Sequence, residues 1–485
     1  MPGTNPTAIP ISGGVNTAAD PATAATVLAA NVSLGPAGEN APRAPLTNFN
    51  MTGLGTSPVI GLYVWKDQWL IMVTADRKVW AAAVGAPTAA IALSSASAAT
   101  QLPGALRPTF TEDSLRVIIA GGGFPLAWTG AGLCSQLVTV GSAPAATHVA
   151  SLGQRIIANN LPTVSVWSWS WIGDGNHDHW GAEPTTSSIE VADANPDGVV
   201  AIYATVREAY AFGQKTVQVY SVSGDTVQGI IFPFASVVTL EVGCSAPYTP
   251  ILADGPLIWL DDKRRIIISD GRTFQDISTD ISVTLRAMST VSDAWSYRED
   301  IGNQTNYVFQ FPTEGVELVY DIDKKAWLQR SLYTVNGQTI MPYQCKAYWP
   351  ALNVHLFGSS TTGAIYRWTE GAGQDLGVPV VMERQTGWLD HGTRGRKRSV
   401  RVRSVFRRGA GGTGVPDVFE VRVADDGGPW GDWEQVSIGA SGDNEQVEDL
   451  YMGGVFRRRR YHFRYTGSNS TAWLSSEEHW QECAS

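Results

Sequence analysis

The chain has 485 residues, 44% of them hydrophobic and only 16% charged, with a net charge of −10 and a pI near 5.2. That balance argues against an outer surface that grips nucleic acid by neutralising phosphates, but not against a duct whose acidic wall lets DNA slide. Cys134, Cys244, Cys345 and Cys483 stand far apart with no CxxC pair, which favours buried thiols in a chain folded in reducing cytoplasm over a disulfide framework or a zinc site.

Residues 1–55 are rich in Ala, Pro, Gly, Asn and Thr and predict an extended N-terminal arm. No basic region followed by an apolar stretch opens the chain, so no signal peptide is expected. No run of about 18 apolar residues predicts a membrane span. Helical apolar spacing is best, and short, from Ala22 to Asn31. The sequons at Asn31 and Asn469 carry no weight without a secretion signal.

From 56 to 378 a unit recurs: an apolar strand, a polar turn, a second strand, a Gly-containing turn and an aromatic-tipped strand. The first unit runs through Val59–Trp65, Trp69–Val73 and Val79-Trp80, and the second through Leu115–Ala120 and Leu126-Ala127-Trp128. The third holds Arg155–Ala158 and Trp167, Trp169 and Trp171; the fourth holds Val199–Thr205, Ala209–Phe212 and Val217–Val222. The fifth has Leu257–Leu260, Arg265–Ser269 and Phe274, the sixth Tyr307–Phe311, Val316–Tyr320 and Trp327, and the seventh Ala347–Trp349, Val354–Phe357 and Ile365–Trp368. A period of about 40–55 residues predicts a β-propeller of about 6–7 blades, the tip aromatics filling the wedges between blades.

Residues 379–485 change character. In Val400-Arg401-Val402-Arg403, Phe419-Glu420-Val421-Arg422-Val423 and Tyr461-His462-Phe463-Arg464-Tyr465, apolar and polar residues alternate. One dry and one wet face predict a C-terminal antiparallel β-sandwich, with Asp425-Asp426-Gly427-Gly428 as a hairpin turn. The fold class is therefore all-β: arm, propeller, sandwich.

Candidate chemistry is sparse. His177-Asp178-His179 is the one dense set of metal-ligand types, but it follows the turn sequence Gly173-Asp174-Gly175-Asn176 and is better taken as a loop. No nucleophile elbow, Walker loop, dinucleotide fingerprint or HExxH occurs, so no catalytic residue, cofactor or metal is assigned. The paired acids Asp261-Asp262 and Glu477-Glu478 are read as solvated. The alternating Trp167, Trp169 and Trp171 favour packing over a sugar platform.

The sharpest charge feature is two basic clusters. The candidate interface is Arg396, Lys397, Arg398, Arg401 and Arg403, with Arg457, Arg458, Arg459 and Arg460. Residues 379–485 hold as many acids as bases, so the negative excess lies upstream. A solvated sheet face, docking to an acidic protein surface, and DNA contact are the alternatives, in that order.

Several stretches together resemble one family. Asn195-Pro196-Asp197-Gly198-Val199-Val200 is followed by Phe212-Gly213, Thr216, Tyr220 and Ser223-Gly224. Upstream lie the Trp-rich strand, Asp174 and His177 to Trp180; downstream come Gly243-Cys244, Trp259-Leu260, Gln275-Asp276-Ile277-Ser278-Thr279 and Tyr320-Asp321 with Trp327, then the Asp425 turn. In that order they resemble the packaged-DNA stabilization, or tail-nozzle, family of short-tailed phages (podoviruses), over roughly residues 110–480. The resemblance implies a non-enzymatic virion tail protein, made in the host bacterial cytoplasm. It implies a homo-oligomer, a hexameric ring below the portal and head–tail adaptor, touching a tail fibre or spike and a needle or plug. DNA would pass through the lumen without sequence-specific binding. The alternative is a carbohydrate-binding or glycosidase-like β-propeller, which would need two opposed carboxylates about 5–10 Å apart.

Overall fold

The computed structural model describes all residues except 1–3, 20–25, 36–37, 105, 138–142, 171–179, 181–187, 191–196, 228–229, 254, 302–303, 335–336, 410–416, 439–445, 468–469 and 484–485. Short apolar runs bounded by turns form six four-stranded antiparallel sheets, a six-blade propeller arrangement. Their first strands are Val59–Trp65, Thr109–Glu112, Val149–Leu152, Ala201–Ala204, Ile251–Leu252 and Tyr343–Trp349. A further sector, between the blades that start at Ile251 and Tyr343, holds Trp295–Ile301, Gln304–Phe311, Val316–Asp321 and Ala326–Arg330. These four strands belong to a nine-stranded sheet that continues into the C-terminal region.

The core follows this ring. A buried apolar cluster fills the wedge between each sector and the next, from Trp65 and Trp128 between the first two blades round to Val59 and Trp349 between the last and the first. Such wedges cover sheet faces that no blade could bury alone. Trp128, Trp167 and Trp327 sit in them as their tip positions predict, each at most 2% exposed. Phe274 departs from that expectation: its blade ends in a three-residue strand at the rim, and the ring is 41% exposed. Trp167 and Trp169 pack on each other at 5.5 Å and on Phe234, a packing role rather than a platform.

The arm is extended, and its strands tie the other parts together. Leu46–Asn48 is the outer strand of the last blade, so the ring closes through a segment roughly 300 residues upstream. Thr26–Ala30 inserts between Ala326–Arg330 and Val381–Thr386, joining the propeller sector to the C-terminal sheet. The helical spacing predicted from Ala22 to Asn31 gives way to a strand over Thr26–Ala30, where pairing with Val381–Thr386 satisfies the backbone and Ala29 and Ala30 are buried; residues 22–25 lie outside the described residues. Among the described residues the α-helix is the six-residue Ser282–Ala287.

In the C-terminal region, Lys397–Arg407 and Ala472–Glu482 anchor one sheet. Val381–Thr386, Val418–Asp425 and Arg459–Thr466 extend the nine-stranded one. The two face each other across Phe406, Phe419, Phe463 and Trp473, with ring centroids 4.7–4.8 Å apart between the sheets. This is the sandwich that the alternation predicts. Asp426 (φ 52°) and Gly427 (φ 89°) make the tight turn, and the Asp426 carboxylate accepts from the backbone N–H of Arg457 and Arg458.

Candidate interaction face and axial cavity

Period-two alternation sends the nine candidate basic residues in different directions. Lys397 and Arg459 point inward and are fully buried. Lys397 Nζ donates to the carbonyls of Thr393 (2.5 Å) and Gly395 (3.1 Å). Arg396, Arg398, Arg457 and Arg458 are exposed. Arg401 and Arg403 lie on the outer side of their sheet and share Asp449 at 2.8–3.1 Å, solvated pairs worth little stability. Arg460 lies on the outer side of the opposite sheet, whereas Val455–Phe456, just before Arg457, pairs with Lys397 and Arg398.

The outer face around Arg460 is built from alternating guanidinium and indole groups, a pattern that the basic clusters alone did not disclose. Arg458 and Arg460 cover Trp388 at 4.9 and 4.8 Å, and Arg460 also covers Trp430 at 4.2 Å. Arg422 lies over Trp430 and Trp433 at 5.2 and 4.4 Å, and Arg464 lies over Trp433 at 4.4 Å. Each such contact contributes about 0.5–1 kcal/mol at a half-exposed site. Arg464 pairs with Glu420 at 2.6 Å. Arg422 and Arg460 have no carboxylate within ion-pair distance among the described residues. His462 lies beneath them: burial first, then the charges of Arg422, Arg464 and Arg460, push it down to about 3. The imidazole is therefore neutral and its Nδ1 accepts from Arg422 at 3.0 Å. The face is cationic, aromatic and half-buried, suited to an acidic protein surface.

Two of the acids read as solvated are instead interior. Asp261 is fully buried and accepts from the Lys263 and Arg265 backbone and the Arg265 guanidinium at 2.6–2.8 Å. Glu478 is the hub of a buried network. It accepts from Arg459 Nη1 (3.0 Å), His391 Nε2 (2.7 Å) and the Tyr461 hydroxyl, while Arg459 also forks onto Asp425 at 2.7 and 2.9 Å.

A cavity lies where the inner strands of the ring converge. Residues from the first strands of all seven sectors, or the turns leading into them, line one cavity of about 230 Å³. Arg107 reaches across it to lie over Trp295 at 4.5 Å and donates to the Gln344 carbonyl. His148 donates from Nε2 to the Pro247 carbonyl at 3.0 Å and stacks on Tyr248 at 4.9 Å. No carboxylate is among the described residues lining this cavity.

The four cysteines are free, and no group of three or more metal-ligand side chains occurs among the described residues. His177-Asp178-His179, Trp171 and Asp174 lie outside those residues. Among them, no helix is long and apolar enough to cross a membrane.

The motif residues are joints. Asp197 accepts from Lys215 N (2.5 Å), Thr216 N (3.0 Å) and Thr216 Oγ1 (3.0 Å), fixing the turn between two strands of one blade. A Cβ on Gly213 would come within 2.4 Å of the Asp197 carboxylate, so the glycine is needed for this approach. Cys244 N then donates to Gly213 O, and Trp259 Nε1 donates to Gly243 O, stitching that turn to the next blade. Trp327 Nε1 donates to Ile277 O at 2.7 Å, linking the Gln275–Thr279 stretch to the following sector. Asp197→Ala is expected to destabilise the chain by about 1–3 kcal/mol through the orphaned donors, measured as a lower urea midpoint.

No curated protein sequence matches the chain. Among solved structures it is similar to the WD40 propeller domain of Doa1, at TM-score 0.43 and 10% identity over 67% of this chain and 96% of that one. It is also similar to YCF48 bound to D1 peptide, at TM-score 0.40 and 11% identity over 67% and 97%. Residues 93–371, which contain the Asp197, Gly213, Gly243 and Ile277 joints, match the family described as "Bacteriophage P22 Gp10, beta-propeller". The chain therefore belongs to this family of phage packaged-DNA stabilization proteins.

Proposed function

We propose that this chain is the tail-tube, or nozzle, subunit of a short-tailed phage, retaining packaged DNA and conducting it on infection. Membership of a phage structural family supports the reading. The observation that carries it further is the size of the axial cavity: at about 230 Å³ it suits a small molecule and is far too small to be a duct for duplex DNA. A conduit must then run between copies, in a ring standing below the portal and head–tail adaptor, with six as the expected number. Residues 1–378 carry the whole net charge of −10, so a lumen walled by propellers would repel phosphates. The face formed by Arg422, Arg460, Trp388, Trp430 and Trp433 would dock an acidic neighbour in the tail, and fibre, spike and needle contacts would use other outer surfaces. The carbohydrate-processing alternative gains no support from an axial cavity whose lining lacks carboxylates.

Electron microscopy of the purified chain and of virions is the direct test. Rings with a central channel, found also in particles, are expected; a monomer absent from particles would overturn the proposal. The double variant R422Q/R460Q is expected to stay folded and to lose about ten-fold or more in assembly or particle incorporation at physiological salt, because each desolvated cation contact across an interface is worth on the order of 1–3 kcal/mol.

A further inference from the structure

The axial cavity holds a cation with no ion-pair partner among the described residues, Asp293 acting on it only from farther off. Arg107 is half-buried where Leu106-Arg107-Pro108 enters the second blade. Its guanidinium lies over Trp295 at 4.5 Å and beside Tyr248 at 5.9 Å. One N–H donates to the Gln344 carbonyl. Among the described residues no carboxylate is within ion-pair distance of it, and burial draws its pKa down to about 10. A guanidinium in that state is costly unless an anion meets its remaining N–H groups.

The other polar groups of the cavity fit the same need. The Tyr203 hydroxyl accepts from Leu252 N at 3.3 Å, which leaves its O–H free to donate. His148 is drawn down to about 4 by burial, so it is neutral and adds no competing charge, and its Nε2–H is already given to Pro247. Lys346 directs Nζ to the Arg298 carbonyl at 2.7 Å, beside Glu299 and Asp300 rather than Arg107. The remaining wall is largely apolar and aromatic: Phe110, Tyr248, Trp295, Ile202 and Leu62.

We propose that this cavity is a binding site for a small carboxylate with an apolar body. The carboxylate would be forked by Arg107 and assisted by the Tyr203 hydroxyl, with the body against Trp295 and Tyr248. The proposal rests on the propeller alone and is independent of the tail reading.

Calorimetric titration of the full chain with benzoate, inorganic phosphate and benzyl alcohol tests it. Benzoate is expected to bind with a one-to-one stoichiometry, at least about ten-fold more tightly than benzyl alcohol, which lacks the charge, or phosphate, which lacks the apolar body. R107Q should abolish benzoate binding, R107K should retain part of it, and Y203F should weaken it a few-fold with the fold intact by circular dichroism. Equal affinity for benzoate and benzyl alcohol, no benzoate heat at millimolar concentration, or benzoate binding unchanged in R107Q would each overturn the proposal. Should R107Q fail to fold, the ligand comparison on the unaltered chain and the Y203F titration still decide it.

Discussion

Glu478→Ala is expected to cost about 3–5 kcal/mol of folding stability, because it removes the fully buried one of the two carboxylates that answer a buried cation. The Arg459 and Glu478 side chains are 1% and 0% exposed. Removing Glu478 leaves the Arg459 guanidinium with Asp425 alone and orphans His391 Nε2 and the Tyr461 hydroxyl. Equilibrium urea unfolding measures the loss as a lower midpoint. The network also sets an acid limit. Burial opposes ionisation of Glu478, but the hydrogen bond from His391, the Arg459 charge and the Tyr461 hydroxyl together hold its pKa below the usual carboxylate value. A group lowered in the folded state contributes stability above its unfolded pKa, about 4.3, and loses it as pH falls through the lower folded value. Stability should therefore fall steeply below about pH 4. In Glu478→Gln that part of the pH dependence should flatten; an unchanged acid limb would show that other carboxylates govern it.

Removal of residues 1–48 is expected to abolish cooperative folding. The deletion takes away the outer strand of the last blade and the strand between Ala326–Arg330 and Val381–Thr386. It also opens a buried polar joint. Arg43 forks onto Asp375 at 2.9 and 2.5 Å with both side chains at most 4% exposed. Asn31 accepts from Arg43 Nε and Ser331 N and donates to Val381 O. Arg43→Ala alone should cost about 3–5 kcal/mol, since it leaves Asp375 buried without its partner. Thermal melting and binding of a hydrophobic dye are the measurements. A truncated chain that melts in one sharp transition would show that the ring closes without the arm.

The sequence disclosed the blades through their middle strands, because fully buried strands read as short apolar runs between turns. Leu257–Leu260, Ile266–Ser269 and Val316–Asp321 are of this kind. The first strands were harder to see: Thr109–Glu112 is polar and follows a proline, and Ile251–Leu252 spans two residues. Closure by Leu46–Asn48 was not legible, since the strand is three residues long in a Pro- and Ala-rich stretch and its partner is remote in sequence. Alternation separates Arg459 from Arg460, but nothing local shows that Glu478 waits beneath the former. The indoles between the outer arginines were hidden for another reason. Trp388, Trp430 and Trp433 stand outside regular strands, where no period exposes their direction.

The Thr26–Ala30 strand has a mechanical consequence. It is paired in parallel at Ala30 with Gln329 on one edge, and antiparallel with Val381–Thr386 on the other. A hydrogen-bonded seam therefore offers torque on the C-terminal sheets a direct path into one sector of the ring. A push on the sandwich should tilt that sector, so the two parts should turn together.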